Sequence, residues 1–248
     1  MLVPGSARGA ARRLLAVFPH PDDEAYGCAG ALARAGADPE AAAAVLTLTD
    51  GEASSVLAAT GLSREEIAAL RRARMQAVQR QLALDALAMP GLPDGRLARL
   101  DLHALAAPVE AALAALEPHV VIAHDPRGVN GHADHIAAHF AVRLALRTRP
   151  HVRLAMVAYP SAVAESARPR LLFATKDEEL DVRLALTETE IEAKEACLRL
   201  HDGLVTLRPD GPDGALRRPP VEHYDLLGEA FSPLLDDLFR ALPETRAT

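Results

Sequence analysis

Short apolar runs alternate with longer Ala-, Leu- and Arg-rich segments along this chain, and that alternation constrains its fold more than any other feature. The runs are Leu14–Phe18, Ala44–Thr49, Val120–His124 and Leu154–Tyr159, with Leu84–Pro90 a weaker fifth. Each is apolar nearly throughout rather than at every second residue, as in strands buried on both faces. Helical spacing fills the intervals at Ala25–Ala35, Arg64–Leu82, Leu102–Leu116, His132–Leu146 and Thr187–Leu200. The pattern predicts an α/β fold, with a mostly parallel sheet covered by helices on both faces. No internal repeat and no interdomain linker interrupts it, so a single domain is expected over residues 1–248, with a motif-bearing core at about 14–201. The stretch RPDGPDGALRRPP from Arg208 predicts a surface loop, followed by a final helix around Leu226–Leu242. Together these form the C-terminal part, about 202–248.

Composition narrows the function classes. Half the residues are hydrophobic, enough for a sizeable core. A formal charge of −7 gives no basic footprint, which argues against nucleic-acid binding. Aromatics are 3% of residues with no Trp, too few for stacking along a polymer. Cys28 and Cys197 match no paired metal spacing, and a reduced, intracellular protein is the simplest reading. The first apolar run is shorter than the ~7–15 residues of a secretory h-region. No run reaches the ~20 residues of a membrane span, so a cytoplasmic location is expected.

Polar clusters follow three of the runs. They are PHPDDE (Pro19–Glu24), TDGE (Thr49–Glu52) and HDPRGVNGHADH (His124–His135). In open α/β sheets sites form beyond the carboxyl ends of the strands, so these clusters can converge. Three consecutive acids, Asp22, Asp23 and Glu24, repel one another unless they are solvated, placed at a helix N-terminus or beside a cation. His20 and Asp23 are three apart, and a turn starting there aims both the same way. Imidazole and carboxylate together suit a divalent ion such as zinc. Asp22 then points elsewhere, free to take a proton from an attacking water. The plainer reading of these acids is helix N-capping. In GHADHIAAH, either His132 with His135 or His135 with His139 presents two nitrogens on one face. Asp134 between them could orient an imidazole and hold it protonated. A catalytic zinc takes three protein ligands and an open position; His20, Asp23 and one histidine of this cluster would supply them.

In this order and spacing, PHPDDE, TDGE and GHADH resemble the LmbE-like (PIG-L) family of metal-dependent N-deacetylases. The likeness runs from about Leu14 to His201 and includes KEACLRLH (Lys194–His201), similar to the family's late Lys/His helix. The resemblance implies a Rossmann-like fold and a residue-by-residue assignment. His20, Asp23 and His135 match the metal ligands, and Asp22 the general base. His132 matches the histidine that, as an imidazolium, stabilises the oxyanion or protonates the leaving amine, with Asp134 raising its pKa. His139 then becomes structural. Arg71 matches a substrate-contacting position and Asp94, in a loop at the expected strand-end face, is a further substrate-binding candidate, although a solvated helix charge accounts equally for Arg71 and a Pro-Asp-Gly turn for Asp94. Glu24 and Glu52 are expected to brace backbone amides, and Cys28 to pack in the core.

The implied activity is hydrolysis of an N-acetyl group from a small N-acetylglucosamine-type conjugate, giving acetate and a free amine. Zn²⁺ is the expected cofactor, Fe²⁺ also suiting His/Asp/His, and a homo-oligomer is compatible with the family. Two rivals stand beside it: an amidase acting on a larger acyl group, and a non-catalytic metal- or sugar-binding protein. The intact Asp22 and His132 argue against the second, because holding a metal needs neither. The chain departs from the family pattern at Ala133 (commonly Pro), Asn130 (Tyr in some members), Arg74 (often Glu) and Asp202-Gly203 after His201 (often Ser-Gln). All four lie outside the implied metal ligands and bear on substrate identity.

Overall fold

The computed structural model describes residues 9–167, 172–201 and 219–243. Seven strands form its sheet: β1 (Arg12–Phe18), β2 (Ala41–Thr47), β3 (Ala86–Ala88), β4 (Val120–Ala123), β5 (Arg153–Ala158), β6 (Val182–Ala185) and β7 (Val221–Leu226). The helices are α1 (Asp23–Gly27), α2 (Ala29–Ala37), α3 (Ser55–Ala58), α4 (Arg64–Gln81), α5 (Leu102–Leu116), α6 (Gly128–Gly131), α7 (Ala133–Leu146), α8 (Ser161–Ser166) and α9 (Glu188–Leu200).

The strand order is β3-β2-β1-β4-β5-β7-β6. Strands β1 to β5 are mutually parallel, while β7 runs antiparallel to both β5 and β6. Alternate side chains of β1 enter two separate cores. Leu14, Ala16 and Phe18 pack with Met75 and Val78 of α4 and with Leu198 of α9. Leu15 and Val17 pack with Leu105 and Val109 of α5 and with Val142 of α7. Burial on both faces explains why these strands are apolar throughout. The chain leaves β1 towards β2 on one side and later returns to place β4 on its other side. The crevice beyond the carboxyl ends of β1 and β4 is therefore the topological switch point, where open α/β sheets bind ligands.

Three expectations are corrected. The helix expected at Ala25–Ala35 is two helices, broken at Cys28, whose φ of −154° is not helical. The last two strands, β6 and β7, were not anticipated. The final helix expected around Leu226–Leu242 does not form: after β7 the chain proceeds through turns to residue 243. There the carbonyls of Leu238, Arg240 and Ala241 accept hydrogen bonds from the buried Arg153 guanidinium at 2.6–2.8 Å. The loop expected from Arg208 lies outside the described residues up to residue 218. Among the described residues, no helix is long and apolar enough to cross a membrane.

Candidate metal centre and active site

The three consecutive acids after β1 each find a different partner. Asp22 has a φ of 112°, a left-handed conformation disfavoured for a side-chain-bearing residue, and its carboxylate does not cap α1. That removes the capping explanation for this acid. The carboxylate lies 3.1 Å from the Arg71 guanidinium. Asp23 accepts the His20 backbone N–H at 2.9 Å and turns its oxygens towards histidine rings. Glu24 accepts the Asp22 backbone N–H at 3.0 Å and pairs with His201 Nε2 at 2.8 Å. The acids coexist because the turn sends them in three directions.

His20, Asp23 and His135 converge although His135 lies 115 residues beyond His20. His20 Nδ1 is 3.2 Å from His135 Nε2. Asp23 places one oxygen 3.5 Å from His20 Nδ1 and the other 3.5 Å from His135 Nε2. For metal–ligand distances of about 2.0–2.2 Å, a tetrahedral zinc separates its ligand atoms by roughly 3.3–3.6 Å. Two of the observed separations fall in that range and the third, 3.2 Å, lies just below it, with a different Asp23 oxygen facing each ring. The other ring nitrogens are engaged: His135 Nδ1 faces the Gly128 carbonyl at 3.1 Å, and His20 Nε2 faces Asp94 Oδ1 at 3.1 Å. Both are acceptors, so each ring donates there and turns a lone pair inward. A divalent cation between the two nitrogens and the carboxylate would satisfy all three donors, and the set fits a mononuclear metal.

The charges agree with this reading. Burial alone would push Asp23 up, but His135, His124 and His20 hold it well below the usual carboxylate range. Burial pushes Asp22 up to about 6, with Arg71 opposing and the neighbouring Asp23 adding to the rise. That value suits a group that must accept a proton near neutral pH.

Three sequence expectations change in place. Asp134 does not direct its carboxylate at His132. Its oxygens accept the backbone N–H groups of Gly95 and Leu97 at 2.8 and 2.9 Å, with one of them 3.5 Å from His20 Nε2. His132 is instead the N-cap of α7, its Nδ1 accepting the Asp134 backbone N–H at 3.2 Å. Burial and the nearby His20 lower the His132 pKa despite Asp134, so a neutral imidazole is favoured over an imidazolium.

Asp94, expected against substrate, closes on His20 and accepts the Ala53 N–H at 2.8 Å; Glu52 accepts the Asp94 N–H at 2.9 Å. Arg71 is not a solvated charge. It is 4% exposed and donates to the Pro21 and Gly51 carbonyls as well as pairing with Asp22. His139 turns Nδ1 to the His124 carbonyl at 2.9 Å and anchors the end of β4, away from the convergent donors.

His124 was given no role from the sequence. Buried at the end of β4, it stacks on His135 with ring centroids 4.1 Å apart, and its Nε2 is 3.8 Å from Asp23. Its place at a strand's carboxyl end, within an already noted cluster, was the available signal.

His20, Asp22, Asp23, Asp94, His124 and His135 line a cavity of about 730 Å³ that also exposes Tyr26, Asn130, His132 and Tyr159. Its volume lies within the ~300–1,000 Å³ of small-molecule sites.

Fold and donor set define a Rossmann-like α/β protein with a candidate mononuclear metal centre at its switch point. Comparison with known proteins gives the family. The PIG-L model, described as GlcNAc-PI de-N-acetylase, matches residues 15–146, more than half the chain. The 1D-myo-inositol 2-acetamido-2-deoxy-alpha-D-glucopyranoside deacetylase of Mycolicibacterium vanbaalenii is 31% identical, covering 86% of this chain and 90% of its own. Two solved structures share the fold. A deacetylase of teicoplanin biosynthesis has a TM-score of 0.65 at 19% identity, covering 86% of this chain and 97% of its own. The N,N'-diacetylchitobiose deacetylase of Pyrococcus horikoshii has a TM-score of 0.63 at 18% identity, covering 87% and 82%. The chain belongs to the PIG-L (LmbE-like) family of deacetylases.

Proposed function

We propose that this protein removes the N-acetyl group from an N-acetylglucosamine-type conjugate of a small aglycone, with a divalent metal held by His20, Asp23 and His135. The observation that carries this reading is the trio of ligand edges at 3.2, 3.5 and 3.5 Å with Asp22 next in sequence. Zinc is the ion of choice, and ferrous iron suits the same donors. The relative from Mycolicibacterium vanbaalenii, named for an N-acetylglucosaminyl inositol, supports the substrate class.

The metal, when bound, would polarise the acyl carbonyl and lower the pKa of water from 15.7 towards about 7. Asp22 takes the proton of the attacking water as its oxygen adds to the acetyl carbon. Arg71 fixes that carboxylate from behind, and the turn holds it beside the reacting atoms. His132, with Nδ1 occupied by the Asp134 amide, offers Nε2–H to the developing oxyanion. Asp22 then returns the proton to the leaving nitrogen as the C–N bond breaks. Water and amide become acetic acid and amine, which ionise to acetate and ammonium, and Asp22 ends as it began.

The test measures bound metal and amine release from N-acetylglucosamine and its small glycosides. About one metal per chain, with amine and acetate released in equal amounts, is the expected result. Bound metal with release only from longer N-acyl analogues would replace the acetyl assignment with the larger-acyl amidase. Bound metal with no release from any N-acyl aminosugar would overturn hydrolysis in favour of a binding role.

A further inference from the structure

The helix α9 reaches back to the turn that carries Asp22 and grips it at two points. Lys194 Nζ donates to the Tyr26 carbonyl at 2.7 Å and pairs with Glu222 at 2.7 Å. Seven residues, about two turns, further on, His201 Nε2 meets Glu24 Oε1 at 2.8 Å across 177 residues of sequence. Both His201 and Glu24 are fully buried. The second Glu24 oxygen accepts the Asp22 backbone N–H at 3.0 Å. Asp22 needs that restraint: at a φ of 112° it lies where a side-chain-bearing residue does not stay unaided, and its own carboxylate supplies no cap. Arg71 holds the carboxylate, but the backbone amide depends on Glu24 alone among the described contacts.

We propose that His201 and Glu24 act as a buried positioning pair, fixing the backbone of Asp22 so that its carboxylate stays aligned with the reacting amide. This rests on Asp22 serving as the general base. Without a donor from residue 201, a fully buried Glu24 carboxylate must turn to another donor, because an unpaired buried charge is strongly unfavourable. The Asp22 amide then loses its acceptor, and the residue relaxes away from its left-handed conformation. Proton transfer depends on sub-ångström placement, while the substrate and metal ligands are held by other groups.

The predicted signature is therefore a loss in kcat at nearly constant KM and constant metal content. His201→Leu removes the donor; His201→Gln keeps an N–H that can reach Glu24. Each is assayed for amine release from N-acetylglucosamine glycosides and for metal stoichiometry. Backbone amide exchange over residues 19–27 is followed by mass spectrometry.

His201→Leu is expected to lose about tenfold to a hundredfold in kcat, with KM within about twofold, full metal and faster exchange. His201→Gln is expected to recover most of the kcat and the slow exchange. Equal kcat and exchange in both variants and wild type overturn the proposal. So does an equal loss in both, or a His201→Leu defect that appears chiefly in metal content or KM. Should His201→Leu fail to fold, Glu24→Gln gives the reading. Its single amide oxygen cannot serve both the Asp22 N–H and His201 Nε2, so faster exchange over residues 19–27 with a kcat loss at constant KM and metal content supports the pair, and wild-type exchange and kcat overturn it. A wild type without deacetylase activity refutes the function instead, and the exchange comparison still decides whether residue 201 holds Asp22.

Discussion

At the scale of single residues, geometry separates three carboxylates that composition alone treats alike. In the proposed mechanism Asp22 moves a proton, Asp23 binds the ion and Asp94 orients a ligand, and each role predicts a different failure. Asp22→Asn is isosteric and keeps the metal donors, so metal content should remain at the wild-type level while kcat falls about 10²- to 10⁴-fold. Loss of metal in that variant would mean that Asp22 is a ligand. Asp94→Asn weakens the acceptor on His20 Nε2, 3.1 Å away. Metal affinity should fall about 10- to 100-fold, the usual cost of removing an orienting carboxylate, which competition with a chelator measures. An unchanged affinity with a raised KM would return Asp94 to the substrate-binding role expected from its loop. His20 and Asp23 could be paired from their spacing because one turn carries both. The direction of Asp94, Asp134 and His124 could not, since it depends on which loops meet across the strand ends.

At the scale of elements, what was legible in the sequence depended on whether local pattern and tertiary burial agreed. Strands β1, β2, β4 and β5 were readable because burial on both faces makes nearly every position apolar. β7 was not, because its inward positions include Glu222, a charge satisfied by Lys194, Tyr224 and the N–H groups of Gly30 and Ala31. A strand carrying a buried acid looks like a loop until its partners are known. β6 is four residues long, alternately buried and exposed, too short for its period to stand out.

Two predictions belong at this scale. In α2, an alanine at Gly36 would ordinarily gain roughly 0.5–1 kcal/mol of helix stability. Here the added Cβ would sit 2.0 Å from the Leu82 carbonyl oxygen at the end of α4, a backbone atom that cannot rotate away. Overpacking of about 1–3 kcal/mol outweighs the helix gain, so Gly36→Ala should lower the urea midpoint. A raised midpoint would show that α2 and α4 separate easily.

Asp225 on β7 supplies the second. Burial and the nearby Asp181, Glu179 and Asp125 raise its pKa from 3.8 to about 6, with Arg127 opposing. The folded state therefore binds this proton more tightly than the unfolded chain. The stabilisation it gives is complete below pH 3.8 and is lost as pH rises through about 6. Asp225→Asn removes that loss. Its melting temperature should exceed wild type by more at pH 7 than at pH 4, and a constant difference across that range would refute the assignment.

At the scale of the whole molecule, the proposed metal centre joins parts that the fold already holds. His20 and Asp23 follow β1, and His135 lies on α7, which packs on the opposite face of the sheet from α2 and α9. Each face has its own apolar core, and neither core includes the metal donors. The domain should therefore remain folded when the ion is removed, unlike small metal-dependent modules that unfold without it. Chelation should leave the far-ultraviolet circular dichroism spectrum unchanged while lowering the melting temperature.

Mass action sets the size of that change. An ion present at a thousand times its dissociation constant adds about 4 kcal/mol to the folded state. For a domain of this length that is on the order of 10 °C. The gain requires all three donors, because two ligands from one turn leave the ion without its tie to α7. His135→Ala should thus abolish the zinc-dependent rise while changing the metal-free melting temperature little. His139→Ala, one turn further along α7, removes an anchor of β4 and should lower the metal-free temperature yet retain the rise. A zinc-dependent rise that survives His135→Ala would place the ion elsewhere among the clustered histidines. The Asp23, His124 and His135 grouping shows that other donors lie close enough to make this a real alternative.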